Sequence, residues 1–181
     1  MSFDVPNRYT VHQCTHLVSD DDSTVLTSIL GSCVAACIFD PVAKVGGMNH
    51  ILLPGKADDD IDARAGMYGA NLMELLLNDL FKMGATKRSL EVKLFGGSRM
   101  GMSALETGKR NIEFIQEFIR NEGLKVVSES LGGSQGRRVE FHPATGRSRQ
   151  RLLDEVSFGA SEVQPPKPVV PAPEAGSMEL F

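Results

Sequence analysis

Apolar and polar positions follow two different periods along this chain. Residues 33–39 (CVAACIF) and 45–53 (VGGMNHILL) are short apolar runs bounded by Gly and Pro, which is the length and composition of strands. Between 67 and 83 the leucines at 72, 75, 76 and 80 recur at helical spacing, while Glu74, Asn78, Asp79 and Lys82 take the other faces. This predicts an amphipathic helix stopped by Gly84. Ile112, Ile115, Phe118 and Ile119 repeat the pattern and predict a second helix over 108–123, ended by Gly123. Residues 90–97, 124–133 and 137–147 read as further strands, the last bending through Pro143 and Gly146. The stretch 9–19 (YTVHQCTHLVS) reads as one strand with mixed faces, 20–24 (DDDST) as a polar turn, and 55–66 (GKADDDIDARAG) as a surface loop. Strands in pairs with helices between them predict an α/β (α+β) layered domain.

Composition narrows this picture only slightly. A chain of 181 residues supports one core, and five of its nine prolines fall between 165 and 173, where no packed core can form. A single domain over 1–160 and a Pro-rich tail over 161–181 are therefore expected. A net charge of −4 supplies no basic field for phosphate backbones, which argues against nucleic-acid binding. No apolar run is long enough to insert in a membrane, and the opening MSFDVPNRYTVHQ lacks the apolar core of a secretion signal. Three cysteines make no disulfide framework, so a cytoplasmic location, where a reactive thiol survives, is the expectation.

Candidate chemistry concentrates in residues 27–54, TSILGSCVAACIFDPVAKVGGMNHILLP. Asp40-Pro41 favours a tight reversal. If Asp40 faces Ala43 across it, Cys33 stands directly opposite His50, with Cβ atoms about 4.5–5.5 Å apart. A longer turn, with Asp40 facing Val45, sets His50 on the diagonal but on the same face. A one-residue bulge at Gly46-Gly47 would break the register; in either unbroken register an imidazole can activate a thiol that is otherwise mostly protonated near neutrality. Gly31 and Ser32 allow a tight bend before the sulfur, and amides around Ser32 and Cys33 can receive a developing oxyanion. Thr27 carries a hydroxyl suited to orienting the imidazole. Cys37 reads as core. A zinc site from His12, Cys14 and His16, which share one face if they lie in a strand, with His142 or Cys33 as a fourth ligand, competes with a plain exposed strand face. The spacing is not that of strong metal motifs. Asp58, Asp59 and Asp60 read as solvated, and the Gly-rich LFGGS and SLGGSQG as sharp strand ends rather than phosphate loops.

On these residues the chain resembles the chemoreceptor glutamine deamidase family, CheD. The resemblance runs from about Thr24 to Leu153 and is most specific in the block 27–54, with its Thr, Leu-Gly-Ser-Cys-Val, Asp-Pro, Gly-Gly-Met and His-x-x-Leu-Pro elements. ELLLNDLFKMGA, LEVKLFGGSRM, GKRNIEFIQEFIRNEG, VSESLGG and GRRVEFHPATGR add to it. The resemblance implies a layered α-β-β sandwich akin to cysteine-dependent toxin deamidases. It implies hydrolysis of selected glutamine amides on the cytoplasmic domains of methyl-accepting chemotaxis receptors through a cysteine thioester, with no cofactor or metal, and in some members methylesterase activity. A CheC-type phosphatase is an implied second partner. Carried onto this sequence, the nucleophile is Cys33, the histidine His50 and the active-site threonine Thr27. Asn49 departs from the alanine common there, which bears on the substrate pocket.

Overall fold

All seven residues of the strand Val34–Asp40 are buried, because it is apolar on both faces. Val34, Ala36 and Ile38 enter one core cluster, while Ala35, Cys37 and Phe39, with Cys33 just ahead of them, enter another. A strand with two apolar faces needs a layer on each side. The computed structural model describes residues 7–53, 59–100 and 102–154, and supplies both layers. Its elements are β1 (Asn7–Thr10), β2 (His16–Ser19), β3 (Thr24–Leu30), β4 (Val34–Asp40), β5 (Val45–Asn49), α1 (Asp59–Lys82), β6 (Glu91–Gly96), α2 (Met102–Glu122), β7 (Lys125–Leu131), β8 (Arg137–His142) and β9 (Arg147–Leu152).

The central sheet has the order β2-β5-β4-β6-β7. Leu72, Met73, Leu76 and Leu80 of α1 and Ile115 and Ile119 of α2 cover one face. A second sheet, β1-β3-β8-β9, covers the other with Leu26, Leu30, Val139 and Phe141. The result is an α+β domain in three layers, α-β-β. Among the described residues no helix is long and apolar enough to cross a membrane. The Pro-rich tail lies outside the described residues.

Several sequence expectations are corrected. The stretch 9–19 is not one strand. β1 joins the second sheet and β2 the central one, with a turn between them in which Thr15 N–H and Oγ1–H both donate to the His12 carbonyl. Residues 24–30 form a strand that was not expected, since Thr27 and Ser28 interrupt its apolar run; its fully inward parity, Thr24, Leu26, Ser28 and Leu30, is half polar. The helix expected from 67 begins at Asp59, so 59–66 is helix rather than loop. Residues 54–58 lie outside the described part. α2 starts at Met102 rather than 108. The bend after β8 is a hairpin into β9, whose sequence RSRQRL hides an exposed edge strand because it lacks an apolar face.

The register of β4 on β5 follows the longer turn. Asp40 pairs with Val45, and the two-residue reversal facing Ala43 does not occur. Lys44 N–H donates to the Asp40 carbonyl with Lys44 at φ 54°, and the Asp40 carboxylate accepts from Val42 and Ala43 N–H. Its other oxygen accepts from Thr86 N–H and the Ser89 hydroxyl. Burial works to raise the Asp40 pKa, but these hydrogen bonds outweigh it and hold the carboxyl below its usual range.

Candidate active site

Cys33 sits in the Gly31-Ser32-Cys33 loop that feeds β4, and all three carbonyls of that loop are held. Ser98 N–H donates to Gly31 (2.8 Å), Asn111 Nδ2 to Ser32 (2.8 Å) and Gly97 N–H to Cys33 (2.7 Å). Asn111, fully buried on α2, also accepts from Leu53 N–H at 3.0 Å, so one amide ties the Cys33 loop to the chain that follows His50. Ser98 is held in turn by buried Arg137, which reaches its hydroxyl at 3.2 Å and also bonds Ser130 and the Gly132 carbonyl. Burial pushes the Arg137 pKa down, although the group stays a cation in the physiological range. The two Gly-rich segments are thus clamps around the thiol loop, as their reading as strand ends anticipated.

Gly96 shows how tight the clamp is. Its φ is 109°, and a Cβ there would lie 2.1 Å from the Cys33 carbonyl oxygen. Gly96→Ala is therefore expected to lose about 3 kcal/mol of stability, read as a lowered urea midpoint at unchanged slope.

His50 follows β5. With the Asp40–Val45 register and the Val34–Ile51 bridge, it lies diagonally across from Cys33 on the same sheet face. Its backbone is bonded to the turn after β1: His50 N–H donates to the Thr15 carbonyl (3.1 Å), and Cys14 N–H to the His50 carbonyl (2.8 Å). The ring Nδ1 lies 2.8 Å from Ser28 Oγ and 3.2 Å from the Val11 carbonyl. Ser28 spends its one hydroxyl proton on that carbonyl, at 2.9 Å. Both neighbours of Nδ1 can then only accept from it, so the network places the ring proton on Nδ1. Nε2 is left as a bare lone pair, buried and with no hydrogen-bond partner among the described residues. Burial, opposed by the Val11 carbonyl and helped by the charge of His12, brings the pKa down to about 4. At neutral pH His50 is an uncharged, buried base.

The predicted residues divide accordingly. Cys33 and His50 share a face; Gly31 and Ser32 form the bend before the sulfur. Thr27 lies elsewhere. It pairs with Glu140, whose carboxylate is bonded to Arg8 and Arg149 on the exposed side, whereas Ser28 pairs with buried Val139. Thr27 contributes its carbonyl, which accepts from Val11 N–H at 2.8 Å. The hydroxyl on the imidazole is that of Ser28. Asn49 points away from the site: its side chain accepts from Ala36 N–H and reaches Met73 of α1, so the departure from alanine acts in the helix-facing core. Cys37 is fully buried and its pKa is raised by that burial, against a smaller opposing effect of Lys93, so it is an inert core thiol.

The zinc alternative loses its premise, since His12, Cys14 and His16 do not share a strand. His16 Nε2 bonds Asp79 at 2.7 Å, and Cys14 lies against the Tyr68 hydroxyl, raising the Tyr68 pKa to about 12. Among the described residues no three His, Cys, Asp or Glu side chains gather as a metal-binding group. Sequence reasoning missed Val11, Gln13, Ser28, Ser98, Asn111 and Arg137. Only Ser28 had a local signal, its parity with Leu26 and Leu30; the others act from segments distant in sequence.

Comparison with known proteins adds a consistent result. Residues 52–151 match the family model described as CheD chemotactic sensory transduction. A Caulobacter vibrioides protein named probable chemoreceptor glutamine deamidase CheD is 46% identical over 164 residues, covering 91% of this chain and 88% of the relative. Proteins of the same name from Rhizobium meliloti and Agrobacterium fabrum are 46% and 43% identical, covering 91% and 96% of this chain and 90% and 96% of their own. Among solved structures, a Neisseria meningitidis DUF152 protein aligns with a TM-score of 0.45 at 9% identity, over 71% of this chain and 64% of its own.

Proposed function

The chain belongs to the CheD family, and on that premise we propose that it hydrolyses glutamine side-chain amides on the cytoplasmic domains of chemotaxis receptors to glutamate, with Cys33 as nucleophile. One observation carries the chemistry: a neutral imidazole whose only uncommitted nitrogen is buried on the sheet face it shares with a thiol. His50 Nε2 takes the Cys33 proton as sulfur attacks the amide carbon. The carbonyl oxygen becomes an oxyanion and is received by amides of the Ser32–Cys33 bend. The Nε2 proton then passes to the leaving nitrogen, the C–N bond breaks, and ammonia departs from a thioester. His50 next deprotonates a water that attacks the thioester carbon. The C–S bond breaks, the thiolate recovers the proton, and glutamate remains. This is the chemistry of a cysteine-dependent amidohydrolase, the class to which the sequence resemblance also points.

The test incubates the purified full chain with receptor cytoplasmic fragments and maps Gln-to-Glu conversion by peptide mass spectrometry. Conversion at discrete glutamines on uncut receptor chains is expected. Cleavage or crosslinking would make the protein a peptidase or transamidase, and no change at all would sink the proposal. A CheC-type phosphatase that binds over Cys33, the further partner the resemblance implies, would slow conversion in the same assay.

Ser28 and Thr27 compete for the orienting role. Ser28→Ala is expected to lower kcat about 10²-fold, as imidazole misplacement does, with a lesser effect for Thr27→Ala. The opposite order in steady-state rates would return the role to Thr27.

A further inference from the structure

Beside the thiol stands a side chain that the chemistry above does not use. Gln13 Nε2 points at Cys33 Sγ from 3.7 Å. The amide nitrogen faces the sulfur, so the carboxamide is placed as a donor. Gln13 lies in the four-residue turn His12–Thr15, closed by the bonds of Thr15 to the His12 carbonyl. Cys14 sits in the left-handed region at φ 63°, a conformation that a residue with a side chain rarely adopts, and such strain persists only where surrounding bonds enforce it. Those bonds are present. Val11 N–H donates to the Thr27 carbonyl, Cys14 N–H to the His50 carbonyl and His50 N–H to the Thr15 carbonyl. The Val11 carbonyl accepts from the Ser28 hydroxyl and the imidazole. The segment Val11–Thr15 therefore holds the histidine by its ring, through Val11, and by its backbone, through Cys14 and Thr15, and from the turn within it extends an amide donor to the nucleophile.

We propose that Gln13 is a catalytic residue of the deamidation reaction, its side-chain N–H donating to the oxyanion that forms when Cys33 attacks the substrate carboxamide. This rests on the deamidase reading. In the tetrahedral intermediate the oxygen is one bond removed from the sulfur-bound carbon, within reach of a donor that already stands against the sulfur. Attack makes the S–C bond and moves the C=O π pair onto oxygen, whose charge Gln13 shares with the backbone amides. Collapse restores C=O and expels ammonia, and Gln13 exchanges no proton. Because Gln13 is exposed, its side chain can lift from the thiol as a carboxamide enters and close again on the new charge. A preformed donor of this kind is worth about 10²–10³-fold in rate.

The experiment compares the full-length wild type with Gln13→Ala and Gln13→Glu on receptor cytoplasmic fragments, measuring kcat and KM, and in parallel the rate at which iodoacetamide alkylates Cys33, read by peptide mapping. Alkylation displaces iodide and forms no oxyanion. The expected result for Gln13→Ala is a kcat about 10²-fold lower, KM near wild type and alkylation undiminished. Gln13→Glu keeps the shape but offers an acceptor, and loses at least as much. A wild-type kcat in Gln13→Ala would overturn the inference while leaving the deamidase reading intact. So would a kcat loss matched by an equal alkylation loss, since Gln13 would then only hold the thiol. Conversion of Gln13 itself to glutamate during turnover would also overturn it, making the residue a substrate. A wild type that converts no receptor glutamine would remove the deamidase reading, and the inference with it.

Discussion

Cys33→Ala is expected to abolish glutamine conversion on receptor fragments, a loss of about 10⁴-fold or more, because it removes the sulfur proposed to form the thioester. The variant should still fold. One buried sulfur is removed from a loop whose three carbonyls are anchored by backbone and Asn111 donors, so the stability cost is about 1 kcal/mol. Cys37→Ala is the matched control: it also deletes a buried sulfur from β4, but that thiol is sealed between the sheets and its loss leaves turnover in place. Ammonia release and peptide mass mapping separate the two variants. Turnover by Cys33→Ala would end the cysteine mechanism.

His50→Gln is expected to lower kcat about 10³-fold and to change how stability depends on pH. The folded-state pKa of His50 is about 4 against 6.5 for the free side chain. As pH falls below about 6.5 the unfolded chain takes up a proton that the folded chain refuses, so the unfolded state gains. The stability associated with a neutral His50 is therefore complete above about pH 6.5 and is lost as pH falls towards 4, an amount on the order of 3 kcal/mol. Asp40 and Glu140 are depressed carboxylates, and their contributions disappear at still lower pH. His142, depressed mainly by burial, acts in the same direction as His50, so the variant flattens the profile without levelling it. Urea midpoints at pH 7.0 and 4.5 should differ clearly in the wild type and much less in His50→Gln. The same pKa predicts that kcat/KM persists well below pH 6, since the base nitrogen stays unprotonated there. An acid limb near 6.5 would show that the imidazole is solvated in the working enzyme.

Local pattern exposed some parts of this fold and concealed others for identifiable reasons. The leucine and isoleucine spacings located both helix bodies, and Gly84 and Gly123, at φ 97° and 63°, ended them as expected. β3 and β9 escaped notice because their inward residues are too few or too polar to stand out, and they are strands because of their neighbours, β1 and β8 for β3 and β8 for β9. The 9–19 stretch has strand-like composition throughout, yet Cys14 turns the chain so that its two halves serve different sheets.

The sequence by itself singled out Cys33 and His50 as candidates, and for either turn length it set them on one sheet face because the period of a strand is two; the structure decided that no bulge at Gly46-Gly47 breaks that register. The sequence also determined which segments are apolar enough to form the central strands. Only the tertiary structure decided that the Ser28 hydroxyl meets the imidazole, that Val11 fixes its tautomer, and that Asn111, Ser98 and Arg137 brace the Cys33 loop. These contacts join residues from different layers, and burial, which sets the His50 pKa, exists only after the two sheets close on each other.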